Sequence, residues 1–492
     1  MTETLSKRSG GEAFYPESKE FLQKVFWPST TAKDSPREED ERVTVEEVEV
    51  EDGTGLGENY GSVMVFANVK IRTRKGLKDV GVVIKSLKQS QWHVEHMNIF
   101  TLFEKEVEFF NKTIPEIVKF QTERGVRNLL TEYVPKLLFA KAVGEEQIVI
   151  TENMCRKGFR MADRHHGLGL EHSIMALETL GRFHAASLAM KILEPETFWK
   201  SSRNAVKEAF FTKERNFIFD RLYRQVAKGK IQSLVAAEVE RGAEDAELLL
   251  RVSGVADRVI EQRGRLCVEV PRRYCEPLAV INHGDFWINN ILYRYEKNEQ
   301  GEEFPVTARL VDFQMTRYGS PSLDILTFLY TSTTYQLRKE HEEDLLRAYH
   351  KALLAGICEA GVNLDSSFKT LDSGIVNGNG KEQSRRQGNT DLPDGHPLSF
   401  RALKDDLTRH WPWGLMLAEL MLPIVLGDAS ENENTIEDAM ANSATTQNTE
   451  DDEEKVLGLE MLKKLISKSC DERYMEVIRE FAHKGYLNNE TI

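Results

Sequence analysis

The chain has 492 residues, 40% of them hydrophobic, and 79 Asp and Glu outweigh 65 Lys and Arg to give a formal net charge of -14. That length exceeds what one hydrophobic core normally serves, so two lobes are expected, and the acidic balance excludes a general nucleic-acid binder, which needs clustered Lys and Arg to release phosphate counterions. The amino terminus lacks the apolar core of a secretory signal, and the longest apolar run, LMLAELMLPIVL, is short and broken by Glu419 and Pro423, so no membrane span is expected.

Residues 1–41 end in the charged run PREEDER and read as a mobile or loosely docked extension. Order is expected from RVTVEEVEV, where Val43, Val45, Val48 and Val50 alternate imperfectly as in a strand. The glycine-rich turn GTGLGENYG follows, then the β-rich stretch SVMVFANVKI and a third strand, VGVVIKSL, which carries Lys85. Phe103, Val107 and Phe110 recur at helical spacing in NIFTLFEKEVEFFNKTI, and QIVITENM reads as another strand. These elements make a small β-rich lobe over 42–153.

From Glu171 the pattern turns helical, with Leu177, Leu180, His184 and Leu188 on one stripe, so residues 154–492 form a larger, mainly α lobe in an α+β protein. Two polar stretches interrupt it, 366–398 and 428–454, both too poor in apolar surface to offset the entropy of ordering and both expected to be disordered insertions. Between them DLTRHWPWGLMLAELMLPIVL reads as a core helix with an aromatic start; Trp411 and Trp413 belong to the core more readily than to a ligand cavity. Five scattered cysteines, Cys155, Cys267, Cys275, Cys358 and Cys470, are odd in number and lack metal-ligand spacing, which fits reduced thiols in a cytoplasmic protein without a zinc site.

The stretch INHGDFWINNILYRY, residues 281–295, carries the most chemistry. After Asn290 two apolar-rich strands flank a polar, glycine-containing connection, a β-hairpin signal that makes the entering Asn290 and the departing Asp312 neighbours at the open end. An amide oxygen beside a carboxylate suits Mg²⁺. Asp285, on the same loop, is free to orient a hydroxyl and take its proton, the division of labour of phosphoryl transfer. The small lobe must then hold ATP. The turn with Gly57, Tyr60, Gly61 and Ser62 can cradle phosphates, Lys85 can reach them, and Glu106 shares the inward face of its helix and can anchor Lys85, with Glu104 and Glu108 as competing choices. Taken singly, a glycine turn is usually only a hairpin and a strand lysine is usually solvated; the loop pattern carries the reading. His283 and His184 read as core imidazoles, and Trp287 as packing rather than as a wall of the acceptor pocket.

HGDFWINN followed by VDFQ resembles the signature of the choline and aminoglycoside kinase superfamily, and its tryptophan version resembles the ecdysteroid kinase-like family of insects; GENYGSVM, VVIKSL, FEKEVEFF, FHAASLA and SPSLDILTFL agree. The resemblance spans roughly residues 50 to 330. It implies a two-lobed protein-kinase-like fold that transfers the γ-phosphate of ATP to a small-molecule hydroxyl, with steroid alcohols of the ecdysone type as the named acceptors. In those terms Asp285 is the catalytic base, Asn290 and Asp312 hold Mg²⁺, and Lys85 with Glu106 orients the α- and β-phosphates. Asp324 matches the helix-start aspartate that braces the catalytic loop, and Glu152 to Met154 is the hinge facing adenine, with Asn153 in place of the usual acidic residue.

The alternative is a non-catalytic protein that keeps the fold and sequesters an apolar ligand, although no catalytic position is replaced. A protein kinase is a more distant reading, since the loop lacks its Arg and no Ala-Pro-Glu follows Asp312. The acceptor's identity and the oligomeric state are not legible in the sequence.

Overall fold

The computed structural model describes residues 16–26, 43–51, 62–87, 98–143, 146–215, 227–274, 276–364, 392–427 and 468–488. The chain divides into two compact units, one of residues 1–88 and 135–158, the other of 89–134 and 159–492. Residues 89–134, placed with the small lobe in the sequence reading, thus group with the larger unit.

The smaller unit is a five-stranded antiparallel sheet. Its strands are β1 (Thr44–Glu51), β2 (Ser62–Thr73), β3 (Gly76–Leu87), β4 (Leu137–Val143) and β5 (Glu146–Glu152), in the order β1-β2-β3-β5-β4. A tight turn joins β2 to β3, with Thr73 opposite Gly76 and Gly76 at φ +110°. Strand alternation sends Val45, Ala67, Val69, Val82, Ile84, Ile148 and Ile150 into one core. Strand β4 has no counterpart in the sequence reading, because its seven residues are half-buried or exposed and mix lysine with apolar residues.

Helix α1 (Lys19–Phe26) corrects the expectation for the amino-terminal segment, for it docks on this sheet. Leu22 is fully buried, Phe21 meets Phe139 edge-on at 5.6 Å, and the Gln23 amide donates to the Val43 carbonyl (3.0 Å) while accepting from the Val45 N–H (2.7 Å). Two short apolar faces and one glutamine that satisfies a strand's edge groups are enough to fix a single helical turn pair.

The larger unit begins with α2 (Ile99–Glu108) and α3 (Ile114–Glu123), joined through a wide π turn at Phe109–Thr113. Pro115, which has no N–H to give to an i−4 carbonyl, stands two residues after that turn, as the second residue of α3. Then come β6 (Phe159–Met161), the long α4 (Leu170–Leu193), α5 (Pro195–Ser202), α6 (Lys230–Glu240), α7 (Ala246–Glu261) and α8 (Arg263–Glu269). Strands β7 (Val280–Asn282), β8 (Ile291–Lys297), β9 (Glu303–Leu310) and β10 (Arg317–Gly319) form two small sheets, β6-β8-β9 and β10-β7. Helices α9 (Ser322–Ser332), α10 (Tyr335–Glu359), α11 (Phe400–Arg409), α12 (Trp411–Leu426) and α13 (Lys468–His483) follow among the described residues.

The stripe of Leu177, Leu180, His184 and Leu188 lies at the heart of α4 with no exposure. Trp413 is buried and its indole N–H donates to Thr327 Oγ1 (3.1 Å), as suits a core tryptophan. Of the stretch 366–398 expected to be disordered, residues 392–398 are ordered: His396 bonds the Leu364 carbonyl (3.0 Å) and Leu398 is buried. The rest of it, and 428–454, lie outside the described residues. Among the described residues no helix is long and apolar enough to cross a membrane.

Helices α4 and α10 cross at glycine. A methyl on Gly181 would stand 2.6 Å from the Tyr349 carbonyl oxygen, and one on Gly356 would stand 2.5 Å from Ala185 Cβ. Gly181→Val should therefore destabilise the protein by about 1–3 kcal/mol through overpacking, read as a lowered denaturant midpoint with an unchanged slope.

Candidate active site

The quoted loop links two small sheets. Strand β7 pairs with β10, Arg317 opposite Asn282, and the chain then turns through His283 to Trp287 and a short 3₁₀ turn, Ile288–Asn290, into β8. The expected hairpin is present: Ile291 stands opposite Leu310, and the Val311 N–H donates to the Asn290 carbonyl (3.1 Å). Residue 290 and residues 311–312 are thereby neighbours at its open end, where Asp312 takes a left-handed φ of 68° that is uncommon outside glycine.

Asp324, in the first turn of α9, shapes the loop. Its two oxygens accept the consecutive backbone N–H groups of His283 (2.6 Å) and Gly284 (2.9 Å), and Oδ2 also meets His184 Nε2 (3.1 Å), whose Nδ1 meets the Tyr349 hydroxyl (2.8 Å). Burial works to raise the Asp324 pKa, but the His184 hydrogen bond and charge, with these N–H donors, hold it below the ordinary value. His283 is fully buried, and burial lowers its pKa. Its Nε2 lies 3.0 Å from the Val311 carbonyl and its Nδ1 accepts the Asp285 N–H at 3.4 Å, so the neutral ring carries its proton on Nε2. Gly284, at φ +85°, has no room for a side chain, since a Cβ would fall 1.9 Å from the Met315 carbonyl oxygen.

Asn290 donates its amide N–H groups to the Asp285 carbonyl (2.9 Å) and to Asp285 Oδ2 (2.8 Å). Its amide oxygen therefore faces away from Asp285. Burial first, and the like charge of Asp312 second, push the Asp285 pKa up to about 6, although the residue keeps an accessible face. An amide oxygen not engaged by Asp285, together with the Asp285 and Asp312 carboxylates, is a set of donor types that fits a hard divalent cation.

Glu106 is buried, whereas Glu104 is exposed and Glu108 partly so, and its Oε1 accepts the Phe313 N–H (3.2 Å). Phe313, next to Asp312, packs against Phe109 (5.1 Å), Phe110 (5.6 Å), Phe183 (5.9 Å) and His283 (5.0 Å). Trp287 is buried, in keeping with a packing role.

In the strand unit, Ser62 and Lys85 are buried on β2 and β3. The Glu152 carboxylate accepts the Lys136 N–H (3.0 Å) and pairs with Lys157, and Met154 is buried. Asn153 caps a 3₁₀ turn, its Oδ1 accepting the Cys155 N–H (3.0 Å), while its own N–H donates to the Gly81 carbonyl (2.9 Å). The departure at 153 is thus a capping residue. Gly57, Tyr60 and Gly61 lie outside the described residues.

Sequence reasoning passed over an ionic group beside the loop, two of whose three members, Lys105 and Arg317, are buried. Lys105, Glu208 and Arg317 come from three distant segments, and nothing in their local sequence distinguishes them from surface charges. Burial pushes the Lys105 ammonium down to about 7, with Glu208 opposing and Arg317 reinforcing the shift.

The sequence profile of the ecdysteroid kinase-like family matches residues 56–360. Similar solved structures include an ethanolamine kinase of Plasmodium vivax (10% identity, 85% of this chain and 82% of that one, TM-score 0.32) and a choline/ethanolamine kinase family protein from Mesorhizobium loti (11%, 88% and 92%, 0.31). A mutant aminoglycoside 2′-phosphotransferase-IIIa in complex with GDP is a third (13%, 63% and 82%, 0.26). None of the curated proteins matches the chain.

Two outcomes test this geometry. Asp324→Ala strands the buried His283 N–H, the part-buried Gly284 N–H and a buried histidine, so it should cost about 3–5 kcal/mol in equilibrium unfolding. Lys105 has a folded pKa below its ordinary 10.5, so between about 7 and 10.5 the unfolded chain binds the extra proton and stability rises with pH. Lys105→Met should accordingly stabilise the protein by a few kcal/mol at about pH 6 and by little near pH 10, measured by denaturant unfolding at both.

Proposed function

Because the chain belongs to the ecdysteroid kinase-like family, we propose that it transfers the γ-phosphoryl group of ATP to a hydroxyl on a small molecule, with steroid alcohols the first acceptor class to try. The observation that supports the reading is the bond of Asn290 to Asp285, which holds the carboxylate and leaves the amide oxygen free of it, while the hairpin brings the chain at Val311, one residue before Asp312, back to Asn290.

In this reading Asp285 receives the acceptor hydroxyl on its accessible face. The hydroxyl oxygen forms a bond to the γ-phosphorus as the bond from that phosphorus to the β,γ-bridging oxygen breaks. ADP leaves with the electron pair, and the hydroxyl proton passes to the Asp285 carboxylate and then to solvent. A pKa raised to about 6 makes that carboxylate a somewhat better acceptor than an ordinary one while keeping it mostly ionised near neutrality. Asn290 and Asp312 would hold Mg²⁺, which when bound neutralises charge on the phosphates. Ser62, the neighbouring turn with Gly57, Tyr60 and Gly61, and Lys85 would bind the phosphates, with Glu106 as the lysine's acidic counterpart in the family pattern. The segment Glu152 to Met154 would face adenine through its backbone, since the Glu152 and Asn153 side chains have other partners.

Asp285→Asn removes the proton acceptor while an amide in its place can still accept from Asn290. Transfer of label from radioactive ATP to a sterol or other alcohol, followed by mass spectrometry of the product, should fall by about 10²–10⁴-fold, with ATP affinity within about threefold of wild type. Undiminished transfer in that variant would remove the mechanism. Tight ligand retention without transfer by the wild-type protein would favour a binding protein instead.

A further inference from the structure

Arg317 is among the largest fully enclosed side chains of the protein, with 2% of its surface exposed. It lies on β10, opposite the last residue of the strand that leads into the loop. Its Nη2 donates to the Gly284 carbonyl (3.3 Å) and its Nε to the Met315 carbonyl (3.4 Å). Those two residues are in close backbone contact, where Gly284 and the Met315 carbonyl leave no space for a methyl group. One guanidinium therefore ties together both sides of the contact that sets the direction of Asp285.

The guanidinium is itself held from behind. Glu208 Oε2 lies 3.3 Å from Nε, and Glu208 Oε1 accepts the N–H groups of Phe210 and Phe211 (2.9 Å each), so the carboxylate is fixed to backbone. The planar cation faces Phe211 at 4.9 Å and Trp413 at 5.6 Å, and those two rings meet edge-on at 5.1 Å. Burial works to raise the Glu208 pKa, but Arg317 and Lys105 together hold it below the ordinary value, so the carboxylate stays charged. Nη1 makes no hydrogen bond among the described residues. The two bonds to carbonyl oxygens are long for N–H···O, so direction comes from the rigid fork, with charge acting in a low-dielectric setting.

A buried cation is expensive to keep if packing were its sole task, because an apolar side chain of similar volume serves as well or better. We infer that Arg317 is a positioning residue for the proposed phosphoryl transfer, clamping the Gly284–Met315 contact and so aiming Asp285, with Glu208 and the Phe211–Trp413 pair holding the clamp. The inference rests on the kinase reading. Lysine cannot replace the fork, since a point ammonium cannot span both carbonyls and lie flat on the rings.

The test uses the full chain with MgATP and measures the slow hydrolysis in which water takes the acceptor's place, with Asp285→Asn defining the Asp285-dependent part. Arg317→Lys should lower kcat for that part about 10–100-fold while KM for ATP changes less than about threefold, the signature of misaimed chemistry. Glu208→Gln, which keeps Arg317 but loosens it, should show a smaller loss of the same kind. Arg317→Ala should regain at least about tenfold in kcat when millimolar guanidinium is added, and neither wild type nor Asp285→Asn should respond. Should Arg317→Ala fail to fold, the other two variants decide. Wild-type kcat in Arg317→Lys and Glu208→Gln, or a folded Arg317→Ala that guanidinium does not rescue, would overturn the inference. Equal hydrolysis by wild type and Asp285→Asn would instead overturn the kinase reading on which it rests.

Discussion

Two consecutive backbone N–H groups, those of His283 and Gly284, both point at one buried carboxylate. Everything proposed for this protein depends on that constraint. A backbone that aims successive donors in one direction is strongly curved, and the curvature is available because Gly284 adopts φ +85° with no side chain to collide with Met315. Asp324 in turn is held ionised by His184, which is steadied by Tyr349 and shares Oδ2 with the His283 N–H, and by the loop N–H groups. The result is a loop whose next residue, Asp285, has its direction fixed before any ligand arrives.

The same economy of direction runs through the hairpin. Asn290 is an end residue of a 3₁₀ turn and the gatepost of β8; its amide holds Asp285 while its carbonyl accepts from Val311. Phe313, one residue beyond Asp312, is locked among Phe109, Phe110, Phe183 and His283, and its N–H is taken by Glu106. The π turn supplies two of those rings, so an irregularity in helix geometry and the placement of Asp312 belong to one packed group.

Much of this was legible beforehand where the signal is local. The spacing of Asp285 and Asn290, the alternation on either side of a polar connection, and the apolar residue before Asp312 each sit within a short window, and the hairpin followed from them. The inward placement of Glu106 also came from the helical face it shares with Phe103 and Phe110, and Glu106 is buried where Glu104 is exposed. What the sequence hid is non-local. Arg317, Glu208 and Lys105 meet only after folding, and a lone charge in a chain rich in charges carries no mark of burial. Strands β4, β6 and β10 are too short or too evenly half-buried to show a period, and α1 read as mobile or loosely docked because so short a helix carries few apolar residues to signal its docking.

The central claim is that the amide of Asn290 and the carboxylate of Asp312 are set to hold a divalent cation beside Asp285. Electron paramagnetic resonance of Mn²⁺, titrated into the protein with and without ATP, reads that directly. The account predicts a protein-bound Mn²⁺ signal that tightens with ATP, weakens in Asn290→Ala and disappears in Asp312→Asn. A signal indifferent to both substitutions, or no bound Mn²⁺ in the presence of ATP, would contradict it.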